Sequence, residues 1–157
     1  MTMRWDPVLT ACAAGELGNV LSGERLKAVF VDRGAGTIHA YFRDSTLLAD
    51  LDAKRVGIEI RDAAEPPEGA RSFACRLSTV ESLLDERVLV LVLPRLRGRG
   101  GVIRIVLELV PNRGNATIVE GDEWTVRHVL ADRGCARTPQ VGRPYPLPTS
   151  TRLACGH

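Results

Sequence analysis

The sequence has almost no lysine. Of its 21 cationic residues only Lys27 and Lys54 are lysines, and the rest are arginine. The plain source is a GC-rich coding sequence; the other is selection for the bidentate anion contacts that Arg makes and Lys does not. Aromatics are also scarce, with three Phe, two Trp and two Tyr, which leaves little capacity for stacking nucleic-acid bases. Net charge is only +2, so neither a strong nucleic-acid field nor a strongly acidic partner is indicated. None of the four cysteines, Cys12, Cys75, Cys135 and Cys155, forms a C-x-x-C pair. Cys12 and Cys75 read as small buried hydrophobes. That usage fits a reducing compartment, with at most a Cys135–Cys155 disulfide in the tail.

The opening residues MTMRWDPVL lack the apolar core of a signal peptide. No apolar run approaches the ~20 residues that span a bilayer. The expectation is a soluble, cytoplasmic protein with no membrane partner. Also missing are a G-x-S-x-G elbow, an H-E-x-x-H pair and a Walker lysine. Gly98-Arg99-Gly100-Gly101 lacks the spacing and following helix of a dinucleotide loop. No cofactor is expected. A zinc set of His128, Cys135, Cys155 and His157 has spacings too wide for a structural site, so no metal is expected either.

What the chain does have is long apolar sequence from Arg87 to Val110. Val88–Leu93 is six apolar residues without a break, and Val102–Val110 is interrupted only by Arg104 and Glu108. Such β-branched runs, bounded by Pro and Gly, read as buried strands, and their short Gly-rich connection makes them a hairpin.

Around that hairpin the chain predicts a helix from Asp6-Pro7 to about Ser22 with the stripe Leu9, Ala13, Leu17, Val20 and Leu21. Strands follow at 27–33 and 37–44, joined by Gly34-Ala35-Gly36. A short helix at 45–54, with Asp50 and Lys54 paired outside, precedes a strand at 55–61 in which Val56, Ile58 and Ile60 share a face. A strand at 72–77 leads to a helix opened by the Ser78/Glu81 capping box. After the hairpin come a strand at 117–120 and a last helix from Asp122 to Gly134, on which His128 and Asp132 stand four apart. Residues 37–93 then show βαββαβ order. The fold expectation is α+β: a mostly antiparallel sheet of six to seven strands with helices on one face, and a ferredoxin-like core with an added amino-terminal helix and hairpin and a carboxy-terminal helix. Residues 1–134 form one domain, and 135–157, with Pro139, Pro144, Pro146 and Pro148, an extended tail.

Three candidate sites follow. Arg95, Arg97 and Arg99 on the hairpin tip have the chemistry to clamp phosphate or carboxylate groups, and a soluble tip is their bland reading. His39 and Tyr41 share a strand face, with Asp32, Asp44 or Glu59 as the carboxylate that acid–base catalysis would need; the bland reading is a half-exposed histidine. Val102, Val106 and Val110, with Arg104 and Glu108, make an apolar face for the tail or another chain to cover, by face packing or by an added edge strand. The leading expectation is a non-enzymatic protein-interaction or assembly module that binds a protein partner or itself. The alternatives are an anion or nucleic-acid binder using the arginine tip, and a small hydrolase or nuclease-like enzyme around His39.

Overall fold

The computed structural model describes residues 7–52, 56–83, 87–96, 101–110, 114–131 and 139–146. They comprise one helix, α1 (Pro7–Leu21), and ten strands. The first five strands are β1 (Arg25–Asp32), β2 (Thr37–Phe42), β3 (Ser45–Asp50), β4 (Gly57–Asp62) and β5 (Arg71–Arg76). The others are β6 (Thr79–Ser82), β7 (Val88–Pro94), β8 (Val102–Glu108), β9 (Asn115–Glu120) and β10 (Thr125–Val129). They form two antiparallel five-stranded sheets, ordered β4-β3-β2-β1-β5 and β10-β9-β8-β7-β6.

Alternation dictates how the sheets meet. Ile38, Ala40 and Phe42 of β2 and Leu47 and Ala49 of β3 point to one side, where they join Leu89, Leu91 and Leu93 of β7 and Ile103, Ile105 and Leu107 of β8 in one core. Phe42 is fully buried there, and burial of such a side chain stabilises by roughly 2–3 kcal/mol. The space left between Ile38, Ala40, Leu91 and Ile105 is only about 10 Å³, room for a single water at most. The sheets are joined along one side. Leu77 follows β5, exchanges hydrogen bonds with Gly23 and Glu24, and leads to Ser78, whose amide donates to the Val92 carbonyl. Cys75 of β5 also bridges to Arg95, and the Leu96 amide donates to the Ala74 carbonyl at 2.8 Å. Helix α1 lies against β6 and β7 and adds Ala14, Leu17 and Leu21 to the core. Gly23, at φ 83°, ends it in the left-handed conformation that glycine adopts without strain.

The mostly antiparallel β character agrees with expectation, and the buried central hairpin is β7–β8, pairing from Val88↔Glu108 to Pro94↔Val102. The strand and helix counts do not agree, and the ferredoxin-like order fails with them. Residues 45–50 are β3, not a helix: Leu47 and Ala49 turn inward while Leu48 and Asp50 turn outward, a period of two that the local LLADL spacing concealed. The Ser78/Glu81 signal leads into β6, where pairing with β7 overrides a local capping preference. The expected last helix is, in its described part, a turn followed by β10, so His128 stands on a strand, and Asp132 lies outside the described residues. Helix α1 buries Thr10, Ala14, Leu17 and Leu21, whereas Val20 is 57% exposed. Cys12 is exposed rather than buried.

Candidate functional site

On the outer face of the first sheet, register aligns Phe30, His39, Leu48 and Glu59 across β1, β2, β3 and β4. His39 and Glu59 are therefore two strand spacings apart, about 10 Å, which is beyond hydrogen-bond reach. Glu59 pairs instead with Arg61 at 3.1 Å. His39 lies 3.2 Å from the Thr37 hydroxyl, its ring stacked on Tyr41 and tilted against Phe30. Burial lowers its pKa; Asp32 partly opposes this and Arg61 adds to it, so the ring favours its neutral form. Burial also raises the Tyr41 hydroxyl. The loop from β4 to β5 connects opposite edges of this sheet, and a Cβ added at Gly69 would stand 3.9 Å from the Phe30 ring.

At the hairpin base, Arg95 is held by Glu120, with its Nη2 donating at 2.6 Å and its Nε at 3.1 Å. Arg127 donates to the other Glu120 oxygen at 3.1 Å. Burial alone would raise the Glu120 carboxyl, but hydrogen bonds and charge from Arg95, then Arg127, outweigh it and hold the group below the ordinary carboxylate value. Beneath this pair, burial raises the Cys75 thiol. Arg97 and Arg99 lie outside the described residues.

The outer face of the second sheet carries a second apolar cluster of Val88, Val90, Val106, Val119 and Val126 with Tyr145. Val106 is fully buried, and Val102, Arg104, Glu108 and Val110 are half-buried. The tail supplies part of the cover. Residues 142–145 run along β10, with the Val126 amide donating to Arg143, the Gly142 amide to Val126 and the Tyr145 amide to Trp124. Trp124 has φ 54°, a left-handed conformation costly for a bulky residue. Its carbonyl is fixed by Tyr145, and its ring lies 6.1 Å from Tyr145 and 5.0 Å beneath the Arg104 guanidinium.

A cleft of about 330 Å³ opens between the sheets on the β1 and β10 side. Arg33, Arg71 and His128 line it over a floor that includes Val29, Val31 and Ile118. Arg71 pairs in register with Val29 and His128 with Ile118, so both occupy positions directed toward the other sheet. Arg33 is anchored by donating to the Val129 carbonyl at 3.2 Å. Burial, then the charges of Arg71 and Arg33, push the His128 pKa down.

No protein-family model matches the chain, and no curated protein matches it in sequence. Solved structures do match in fold. The N-terminal domain of the fibronectin-binding protein PavA from Streptococcus pneumoniae has a TM-score of 0.74 at 14% identity, over 92% of this chain and 62% of that one. The architecture is shared. The N-terminal part of the fibronectin/fibrinogen-binding protein from Streptococcus suis gives 0.70 at 14%, over 92% and 61%. The fibrinogen-binding protein from Staphylococcus aureus gives 0.71 at 16%, over 93% and 57%. The chain thus spans about three fifths of each of those proteins' solved chains.

The structure does not bring the three sequence-derived candidates together. His39 lies on one outer face, Val106 on the other, and Arg95 at the seam. Among the described residues no three His, Cys, Asp or Glu side chains gather as metal ligands. Cys135, Cys155 and His157 lie outside the described residues. Sequence reading missed the convergence of Arg33, Arg71 and His128. Its one local signal was a cation at an inward position of a strand, and the helix expected at 122–134 hid that signal for His128.

Proposed function

We propose that this domain is a non-enzymatic protein-interaction module. The observation that carries it is the architecture shared with bacterial proteins described as binding fibronectin or fibrinogen. Two surfaces suit the role. One is the half-buried rim of the second sheet's outer face, where Val102 and Val110 flank the covered Val106. The other is the β4 edge, since β4 ends its sheet order and can accept an added strand from a partner or from a second copy.

The test is interferometry of the purified chain against immobilised fibronectin and fibrinogen, with light scattering across a concentration series. Saturable binding or concentration-dependent dimerisation is expected. Glu59→Pro abolishes it if strand addition is the mode; Val102→Asp with Val110→Asp abolishes it if the face is. A chain that binds neither protein and stays monomeric throughout would overturn the proposal.

A further inference from the structure

We propose that the cleft between the two sheets is a binding site for a small oxyanion of the phosphate class, clasped by Arg33, Arg71 and His128. This goes beyond the interaction module and is independent of it, because the cleft belongs to neither surface named for a partner.

Three features carry the inference. The first is convergence. The three groups come from just after β1, the start of β5 and near the end of β10, which are far apart in sequence and meet at this cleft. The inner faces of a sandwich ordinarily take apolar side chains, yet Arg71 and His128 occupy inner positions beside Val29 and Ile118, both core residues. The second is unspent positive charge. Among the described residues neither Arg33 nor Arg71 is in an ion pair. The charged and titratable groups lining the cleft are Asp32, Arg33, Arg71 and His128. Asp32 is the single carboxylate among these, and one of its oxygens is engaged by the Ala35 amide at 3.1 Å. The third is positioning. The Val129 carbonyl holds one Arg33 nitrogen, which leaves the other guanidinium donors of a planar fork for a ligand.

The volume fixes the class. About 330 Å³ lies at the lower end of small-molecule sites. It holds a phosphate and a small organic group, and the Val29, Val31 and Ile118 floor receives the apolar part. Free phosphate and a phosphate monoester share the recognised group; only the monoester uses the floor.

The experiment is a nuclear magnetic resonance titration of the intact chain, following the arginine side-chain N–H signals and the His128 ring. The probes are sulfate, inorganic phosphate and phenyl phosphate at fixed ionic strength, with chloride as the control. Saturable shifts at Arg33, Arg71 and His128 are expected, with none from chloride. Tighter binding of phenyl phosphate than of inorganic phosphate identifies a monoester site; equal binding identifies a free-anion site. Arg71 is exposed, so Arg71→Ala keeps the fold, and it weakens binding by about tenfold or more. Sulfate keeps its charge from pH 7 to pH 5, so its affinity should rise as pH falls through that range, because the lowered His128 pKa places proton uptake below the ordinary 6.5, and His128→Gln should remove that rise. Shifts that never saturate, or an Arg71→Ala chain that binds as tightly as the parent, would sink the proposal.

Discussion

At the scale of single residues, the polar side chains that matter are those a strand cannot do without. Buried Asn115 behaves as a piece of backbone. Its amide nitrogen donates to the Ala131 carbonyl at 2.9 Å, and its oxygen accepts from the Ala131 and Ala116 amides. Gly114 beside it must be glycine, since a Cβ would stand 2.9 Å from the Leu51 carbonyl oxygen. Glu120 ties Arg95 to Arg127 and carries a pH signature. Its folded pKa lies below the ordinary 4.5, so the unfolded chain binds the proton more readily. Its contribution is therefore present above about pH 4.5 and is lost as pH falls through the folded pKa. We predict that Glu120→Gln lowers stability at pH 7 and that the gap to the parent narrows as pH drops below 4.5. Urea unfolding at a series of pH values checks it; a gap that stays constant with pH would refute the role. None of these roles was legible in the sequence. Asn115 falls outside the strand expected at 117–120 and Glu120 only ends it, because their partners come from segments that only the fold brings near.

At the scale of elements, the chain's strongest signals were correctly strands, and its weakest were misread as helices. Val88–Leu93 is apolar on both faces because both faces are covered: Leu89, Leu91 and Leu93 by the opposite sheet, and Val88 and Val90 within the second cluster. That cluster depends in part on the tail. Tyr145 is 6% exposed, and its segment extends the β10 edge. Tyr145→Ala should therefore cost about 3 kcal/mol, by analogy with other large aromatic truncations, and uncover apolar surface near Val126. Thermal and urea melts measure the first effect, and binding of a hydrophobic dye measures the second. A loss under about 1 kcal/mol would mean that the tail only rests on the sheet.

At the scale of the whole molecule, the two sheets share one core, so neither can keep its inner face dry alone. The seam at Cys75–Arg95 and the crossover at Leu77–Ser78 couple them through the backbone. Opening should accordingly be global. We predict that native-state hydrogen exchange gives the same opening free energy for Ala40 in β2 and Ile105 in β8, the centres of the two sheets. A consistent difference of more than about 1 kcal/mol would show that the sheets unfold as separate units.

The sequence by itself determined that this chain is built of extended, β-branched, mostly antiparallel strands around the Val88–Leu93 and Val102–Val110 hairpin. Side-chain periodicity and turn chemistry are local, and local rules decide them. Only the tertiary structure decided that there are two sheets rather than one, that residues 45–50, 79–82 and 125–129 are strands, and that Arg33, Arg71 and His128 share a cleft. Those outcomes rest on pairing and packing between segments distant in sequence, whose burial energy exceeds the fraction of a kilocalorie per residue by which local propensity favours a helix.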